Sequence, residues 1–213
     1  MKILKTINPD NKSFNAGSSV CIGVFDGIHL GHQELIKRTI GYANENKISS
    51  VLFTFEPSPS DYFSKGKSRS RLTTLDEKYD YLRSGQIDFI YCPPFDQEME
   101  NLSPLKFINQ HLIRKLNAKH VVVGEDFHFA KDRSGSVETL MELGLEYGFT
   151  VDPVEFIRQK DKKISSTNIR QSLMDQDIQN ANQMLGRHYS VLGEVIKGNQ
   201  IGRTIGYPTA NID

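Results

Sequence analysis

The sequence predicts an α/β protein built on a doubly wound, Rossmann-like parallel sheet. Two observations carry that reading. From about residue 20 to residue 155, short runs rich in β-branched and aromatic residues alternate with helix-period segments. That is the pattern of a parallel sheet covered on both faces. The first such run is followed by a glycine-punctuated turn that opens a helix, so backbone N–H groups and the positive end of the helix dipole face one spot.

Val20 to Gly23 reads as a buried strand, and Gln33 to Asn46 as the helix after it. Ser50 to Phe55 is the next strand, and Thr74 or Asp76 is placed to cap a helix reaching Leu82. After the strand Ile87 to Tyr91, Ser103-Pro104 puts a capping hydroxyl before a first-turn proline,. Leu105, Ile108, Leu112 and Leu116 then form an apolar stripe,. His120 to Gly124 is a strand. Ser136 caps a helix whose expected inward face is Val137, Leu140, Met141 and Leu145, with Gly148 as its stop and Phe149 to Val151 as the strand beyond,. Two helix-like segments, Ser166 to Met174 and Asp177 to Leu185, end at Gly186-Arg187. Tyr189 to Ile196 then reads as a strand, before the glycine-rich Lys197 to Arg203. The expected division is a first domain over 1–186 and the opening of another over 187–213. That second stretch is too short for a core of its own, so it either begins a further domain or packs on the first,.

Twenty-six basic residues balance 26 acidic ones, so no net field draws the chain to nucleic acid or to a membrane,. Cys21 and Cys92 lie in apolar runs and suit buried thiols in a reducing compartment,. No apolar stretch reaches the roughly 20 residues of a membrane span, and the first residues lack a signal-peptide core,. The expectation is a cytoplasmic protein with small-molecule substrates, no nucleic-acid or membrane partner, and weak self-association left open. Ser64 to Arg71 is a basic, flexible stretch, either a solvated loop or a mobile lid whose cations approach a polyphosphate,.

Two segments carry chemistry. Gly23, Val24, Phe25, Asp26, Gly27 and Gly31 belong to the turn after the first strand, and His29 and His32 stand three residues apart within it. Both imidazoles can reach the spot that the N–H groups face. A zinc site is disfavoured, because no further ligand follows at suitable spacing. Further on, Ser165, Ser166 and Thr167 open a helix and Arg170 follows one turn later. Hydroxyls, N–H groups and a planar guanidinium fork can there grip phosphate oxygens,.

His29-Leu30-Gly31-His32 resembles the His-x-Gly-His signature of the nucleotidylyltransferase superfamily. The wider set resembles the bacterial bifunctional riboflavin kinase/FMN adenylyltransferase family, or FAD synthetase. It comprises Gly23 to His32, Phe55 to Pro59, Arg71 to Lys78, Val123 to Phe129 and Ile164 to Arg170. Gly202 to Asn211 resembles the opening of that family's β-barrel-type kinase domain. The resemblance implies a nucleotidylyltransferase-type fold, ATP and FMN as substrates, and Mg2+ as cofactor. It also implies FAD and pyrophosphate as products, with riboflavin a further ligand of the kinase part. His29, His32 and Arg170 would be catalytic. The glycine turn and Ser165 to Thr167 would hold nucleotide, and Phe55, Pro57, Ser58, Asp126 and Phe127 would line the flavin side. Thr209 and Asn211 would hold metal in the kinase part, which is not expected to phosphorylate riboflavin as it stands. The chain departs from the family pattern in having Ser58 where histidine is usual, and His128 and Ala130 where an arginine-like residue and glycine are usual. Two alternatives stay open: a catalytically impaired nucleotide- or flavin-binding module, or an adenylyltransferase with another phosphorylated acceptor.

Overall fold

A computed structural model describes residues 1–7, 12–65, 70–83, 85, 87–159, 162–199, 201–207 and 209–212. In order, the elements are β1 (Lys2–Leu4), β2 (Ser18–Ile22), α1 (Leu30–Asn46), β3 (Ser49–Phe53), α2 (Pro59–Ser64), α3 (Leu75–Arg83) and β4 (Phe89–Tyr91). There follow α4 (Gln97–Glu100), α5 (Pro104–Phe107) running into a π-helical stretch Ile108–Lys115, β5 (Ala118–Gly124), α6 (Val137–Tyr147) and β6 (Thr150–Val154). A hairpin of β7 (Arg158–Gln159) and β8 (Lys162–Lys163) leads to α7 (Ser166–Met174) and α8 (Ile178–Leu185). Last come β9 (Val195–Ile196), α9 (Ile201–Thr204) and β10 (Asn211–Ile212).

Six parallel strands form one sheet in the order β1-β4-β3-β2-β5-β6. The strand order reverses at β2, which pairs with β3 on one side and β5 on the other. A crevice therefore opens at the carboxyl ends of β2 and β5,. Side-chain alternation splits the core in two. Val20, Ile22, Val51, Phe53, Val121 and Val123 pack with Phe107, Leu112 and Leu140. Cys21, Leu52, Ile90 and Val122 pack with Leu35, Ile36 and Leu82. A third cluster, Leu72 with Ile164, Ile169, Ala181, Met184 and Leu185, joins the residues before α3 to the α7–α8 pair.

The helix signals place most starts and stops. Thr74, not Asp76, caps α3, its Oγ1 accepting from Glu77 N at 3.2 Å. Ser103 and Ser136 cap α5 and α6, and Gly148 ends α6 with φ +77°. Two inward faces differ from expectation. Leu105 is 47% exposed and Phe107 takes the buried position. Met141 and Leu145 are exposed, because α6 turns Gly144 onto the chain at Phe149, where a Cβ would stand 2.7 Å from the Phe149 carbonyl oxygen. The strand expected over Tyr189 to Ile196 contracts to β9, paired antiparallel with β10. Cys21 and Cys92 are buried and unbonded to each other. Residues 66–69 of the basic stretch, and Pro208 of the kinase-like motif, lie outside the described residues.

Candidate active site

The turn between β2 and α1 is fixed from below. Gly23 N donates to Phe53 O at 3.0 Å. Phe25 and Ile28 adopt positive φ, +53° and +39°, and both side chains are fully buried. Core packing thus holds two residues in a backbone region that β-branched and bulky side chains avoid. The Phe25 side chain packs in the core, its ring 5.1 Å from that of His32.

His29 is the N-cap of α1, and its Nδ1 accepts the His32 backbone N–H at 3.3 Å. Accepting there leaves the His29 proton on Nε2, ready to donate to a ligand. The two imidazoles stack with centroids 3.6 Å apart and 16° between planes. A Cβ at Gly31 would lie 3.2 Å from the His29 ring, which accounts for glycine between them. Burial lowers the His29 pKa to about 4, with the Lys163 charge adding to the effect. Burial, then the His29 and Lys78 charges, holds His32 well below the usual histidine value. Both rings are neutral hydrogen-bonding groups at neutral pH in the unliganded protein.

The α7 turn meets this loop at Asp26. Ser165 caps α7, accepting Asn168 N at 3.2 Å, and Ser166 Oγ donates to Asp26 O at 2.8 Å. Arg170 pairs with the Asp26 carboxylate and donates Nε–H to Ser70 O at 2.8 Å. The other Asp26 carboxylate oxygen accepts Leu72 N at 3.0 Å and Thr73 N at 3.1 Å. The Asp26 carboxylate thus holds two segments together at the edge of the cavity it lines. Thr167 is exposed on the first turn of α7.

On the acceptor side, Phe55 packs on Phe53 and Phe95 with centroids 5.0 and 5.8 Å away, and Pro57 is exposed. Ser58 caps α2: its Oγ donates to Asp61 Oδ2 at 2.6 Å and accepts Asp61 N at 3.3 Å. Arg71 bridges Glu56 at 2.9 Å and Asp61 at 2.6 Å. Val24, Asp26, Phe55, Ser58, Lys78 and Arg170 line one shared cavity. Asp126 is exposed and reaches the site through Lys163, whose Nζ lies 2.9 Å from Asp126 Oδ2. Phe127 stacks on Phe129 at 5.7 Å. Thr209 and Asn211 lie in the tail, lining a separate hollow with Val195 to Gly198. The large apolar residues around them, including Val195, Ile201, Ile205 and Tyr207, are exposed. Among the described residues, no group of three or more His, Cys, Asp or Glu side chains is gathered to hold a metal ion.

Four supporting residues were not legible as site residues. Arg187 donates to Gly27 O at 2.8 Å and Ile28 O at 3.3 Å, with its guanidinium 4.5 Å from the Tyr81 ring centre. Gln33 Nε2 donates to both Ile28 O and Leu185 O at 2.9 Å. The charges of Lys163 and Lys78 add to burial in lowering the His29 and His32 values respectively. All four lie outside the two motifs, and three of them reach the loop from distant parts of the chain.

The fold and the hinge-like meeting of histidine loop and α7 turn define an α/β protein of the nucleotidylyltransferase type. The family model described as FAD synthetase matches residues 11–168, and the one described as riboflavin kinase matches residues 185–213. The bifunctional riboflavin kinase/FMN adenylyltransferase of Buchnera aphidicola subsp. Schizaphis graminum is 44% identical over 213 residues, covering 100% of this chain and 68% of that protein. The chain belongs to the FAD synthetase family. Its adenylyltransferase region is accompanied by part of a riboflavin kinase region. A crystal structure from Streptococcus pneumoniae, described as a macrolide-efflux protein, superposes with TM-score 0.81 at 30% identity, covering 99% of this chain and 68% of that one. Among the described residues, no helix is long and apolar enough to cross a membrane. A pantoate-beta-alanine ligase from Francisella tularensis, solved with an ATP analogue, shares the fold alone: TM-score 0.53, 17% identity, 94% of this chain and 90% of that one.

Proposed function

We propose that the chain is an FMN adenylyltransferase, making FAD and pyrophosphate from FMN and ATP. One observation carries the reading: Asp26 ties the loop of the stacked His29 and His32 rings to the turn that holds Ser165, Ser166 and Arg170. A phosphate oxygen of FMN attacks the α-phosphorus of ATP. A new P–O bond forms, the bond to the bridging oxygen breaks, and its electron pair leaves with pyrophosphate. The nucleophile is already anionic near neutral pH, so no strong base is required, and positioning with charge neutralisation carries the step. His29 and His32 donate N–H bonds to the transferring and leaving phosphates. Ser165, Thr167 and the N–H groups of α7 hold the triphosphate, and Arg170 neutralises it.

Mg2+ fits this site as an ion carried by the triphosphate. The nearby carboxylates of Asp26 and Asp126 are occupied by Arg170 and Lys163, so the protein contributes few direct ligands,. When bound, the ion supplies charge neutralisation on the phosphates. Residues 1–186, with Arg187 and Tyr189 packed against them, form the adenylyltransferase unit, and 187–213 open the kinase region with Thr209 and Asn211 as its metal ligands. Riboflavin is a ligand of that region, and the cytoplasm fits a protein acting on these nucleotides.

Purified protein with ATP, magnesium and FMN should release FAD and pyrophosphate in equal amounts, and His32→Ala should abolish both. A second reading, a flavin-binding module without turnover, is favoured by Ser58, whose hydroxyl is spent on the α2 cap. Tight FMN binding with no product in the wild-type protein would establish that reading instead.

A further inference from the structure

We propose that Arg187 is a positioning residue for adenylyl transfer: it holds the carbonyls of Gly27 and Ile28, and so sets the peptides that lead into His29. The inference rests on the adenylyl-transfer reading above.

Arg187 follows α8 and is half-buried. Its Nη2 donates to Gly27 O at 2.8 Å and its Nη1 to Ile28 O at 3.3 Å. Among the described residues, neither carbonyl accepts a main-chain N–H. Gln33 shares the Ile28 oxygen, whereas the Gly27 oxygen has the guanidinium as its described partner. The guanidinium also lies 4.5 Å from the centre of the Tyr81 ring on α3. The same stretch of chain meets α3 again: Leu192 N donates to Glu77 Oε1 at 2.8 Å, while Glu77 Oε2 accepts Thr74 N at 2.7 Å at the helix start. Just before that start, Thr73 Oγ1 accepts Gly27 N at 3.0 Å. Arg187 therefore joins loop and helix from the segment matched by the riboflavin kinase model, beyond residue 168 where the FAD synthetase match ends.

A planar trans peptide points its C=O and its N–H to opposite sides. Gripping Gly27 O and Ile28 O together therefore fixes two successive peptide planes. With the second plane goes the N–H of His29, the N-cap of α1. Gly27 stands at φ +83°, where glycine lets the neighbouring peptide turn over at little cost,. A turned peptide would present a carbonyl oxygen where the loop meets phosphate, and the two would repel. It would also swing the His29 ring, and with it the stacked His32 ring. The planar fork of a guanidinium spans two adjacent carbonyls, which the point charge of a lysine does not. That geometry accounts for an arginine here.

The test compares two variants of the full chain: Arg187→Met, which removes fork and charge, and Arg187→Lys, which keeps the charge alone. With ATP and FMN, kcat should fall about 10-fold in both while each KM stays within about threefold, because misplaced imidazoles fail the transition state more than the ground state. NMR titration of the histidine ring protons gives a second reading that needs no turnover. The His29 value of about 4 should rise by about one unit in both variants, as a loosened loop admits water to the ring,. The Arg187 charge itself depresses His29, so a rise in Arg187→Met alone would show a charge acting through space and overturn the assignment. Unchanged histidine values with only a lower thermal midpoint, or wild-type kcat in both variants, would overturn it as well. If the wild-type protein makes no FAD, the adenylyl-transfer reading fails on that assay, and the titration still decides whether Arg187 positions the pair. If Arg187→Met does not fold, Arg187→Lys carries both readings.

Discussion

The histidine loop and the 126–135 loop both carry non-glycine residues at positive φ, yet they hold that backbone in opposite ways. In the first, the strained residues are Phe25 and Ile28, and their side chains are driven into the core. Above them, carbonyl oxygens of Gly27 and Ile28 accept from Arg187 and Gln33. In the second, the residues are Ala130, Asp132 and Arg133, with exposed or half-buried side chains. There, main-chain bonds do the holding: Lys131 N to Leu102 O at 2.8 Å, and Phe129 paired with Gly135 at 3.0 Å in both directions. Strain anchored by buried side chains fixes side-chain positions for chemistry, whereas strain held only by peptide groups shapes a rim.

Removing the anchor should show this most strongly. Phe25→Ala empties a fully buried ring site, and chemical denaturation should report a loss of about 3–5 kcal/mol with activity lost alongside. The rim counterpart, Phe127→Ala, should cost far less, because that ring is half-buried; equal losses would erase the distinction between the loops. Next in size is Asp26→Asn. It leaves Arg170 without its carboxylate and loosens the α7 turn, so kcat/KM should fall about 100-fold while stability drops by about 2 kcal/mol. Wild-type kinetics in that variant would mean the two segments do not depend on their shared post.

Acid should also separate the loops. Burial depresses the folded-state values of His29, to about 4, and of His111, to about 3, and lowers that of His32 as well. The unfolded chain, with histidine near 6.5, binds more protons below that pH. Stability from these rings is therefore complete above about pH 6.5 and is lost as pH falls from there toward 4 and then 3. Urea titrations across this range should show the decline, with a shallower slope in His29→Asn. The smallest effect belongs to the rim. Ala130 has φ +65° and ψ −174°, a region essentially reserved for glycine,. Ala130→Gly should raise the thermal midpoint, by a gain of about 1 kcal/mol, without altering kcat.

The sheet was readable because each central strand is a short β-branched run, and the helices because Ser103, Ser136, Thr74 and Gly148 are local signals with local consequences. Lys2–Leu4 escaped notice as the edge strand, since its side chains are mostly exposed and show no buried alternation. Ile108, Leu112, Leu116, Val137 and Leu140 are inward as their spacing predicts, whereas Leu105, Met141 and Leu145 are exposed because Phe107 and Gly144 are inward for what they meet across space, which periodicity does not contain. The cleft divides the same way. His29, His32, Ser165 and Arg170 announce themselves by spacing. The Phe25 side chain, inside the same motif, serves the core and the Asp26 carboxylate pairs with Arg170, duties that spacing does not contain. Lys78 ends the Arg71–Lys78 segment that carries the resemblance, but its burial is visible only in the fold, since a lysine on a helix reads as solvated surface.

Arg187 sits inside the segment that matches the riboflavin kinase model, from residue 185 onward, yet its guanidinium grips the Gly27 and Ile28 carbonyls of the histidine loop. Tyr189 is tied down as well, its N–H bonded to Asn182 Oδ1 at 2.6 Å. Severing the protein where sequence families change hands would strip a brace from the histidine loop, so a separately expressed N-terminal half needs to run past Tyr189 to keep that loop supported.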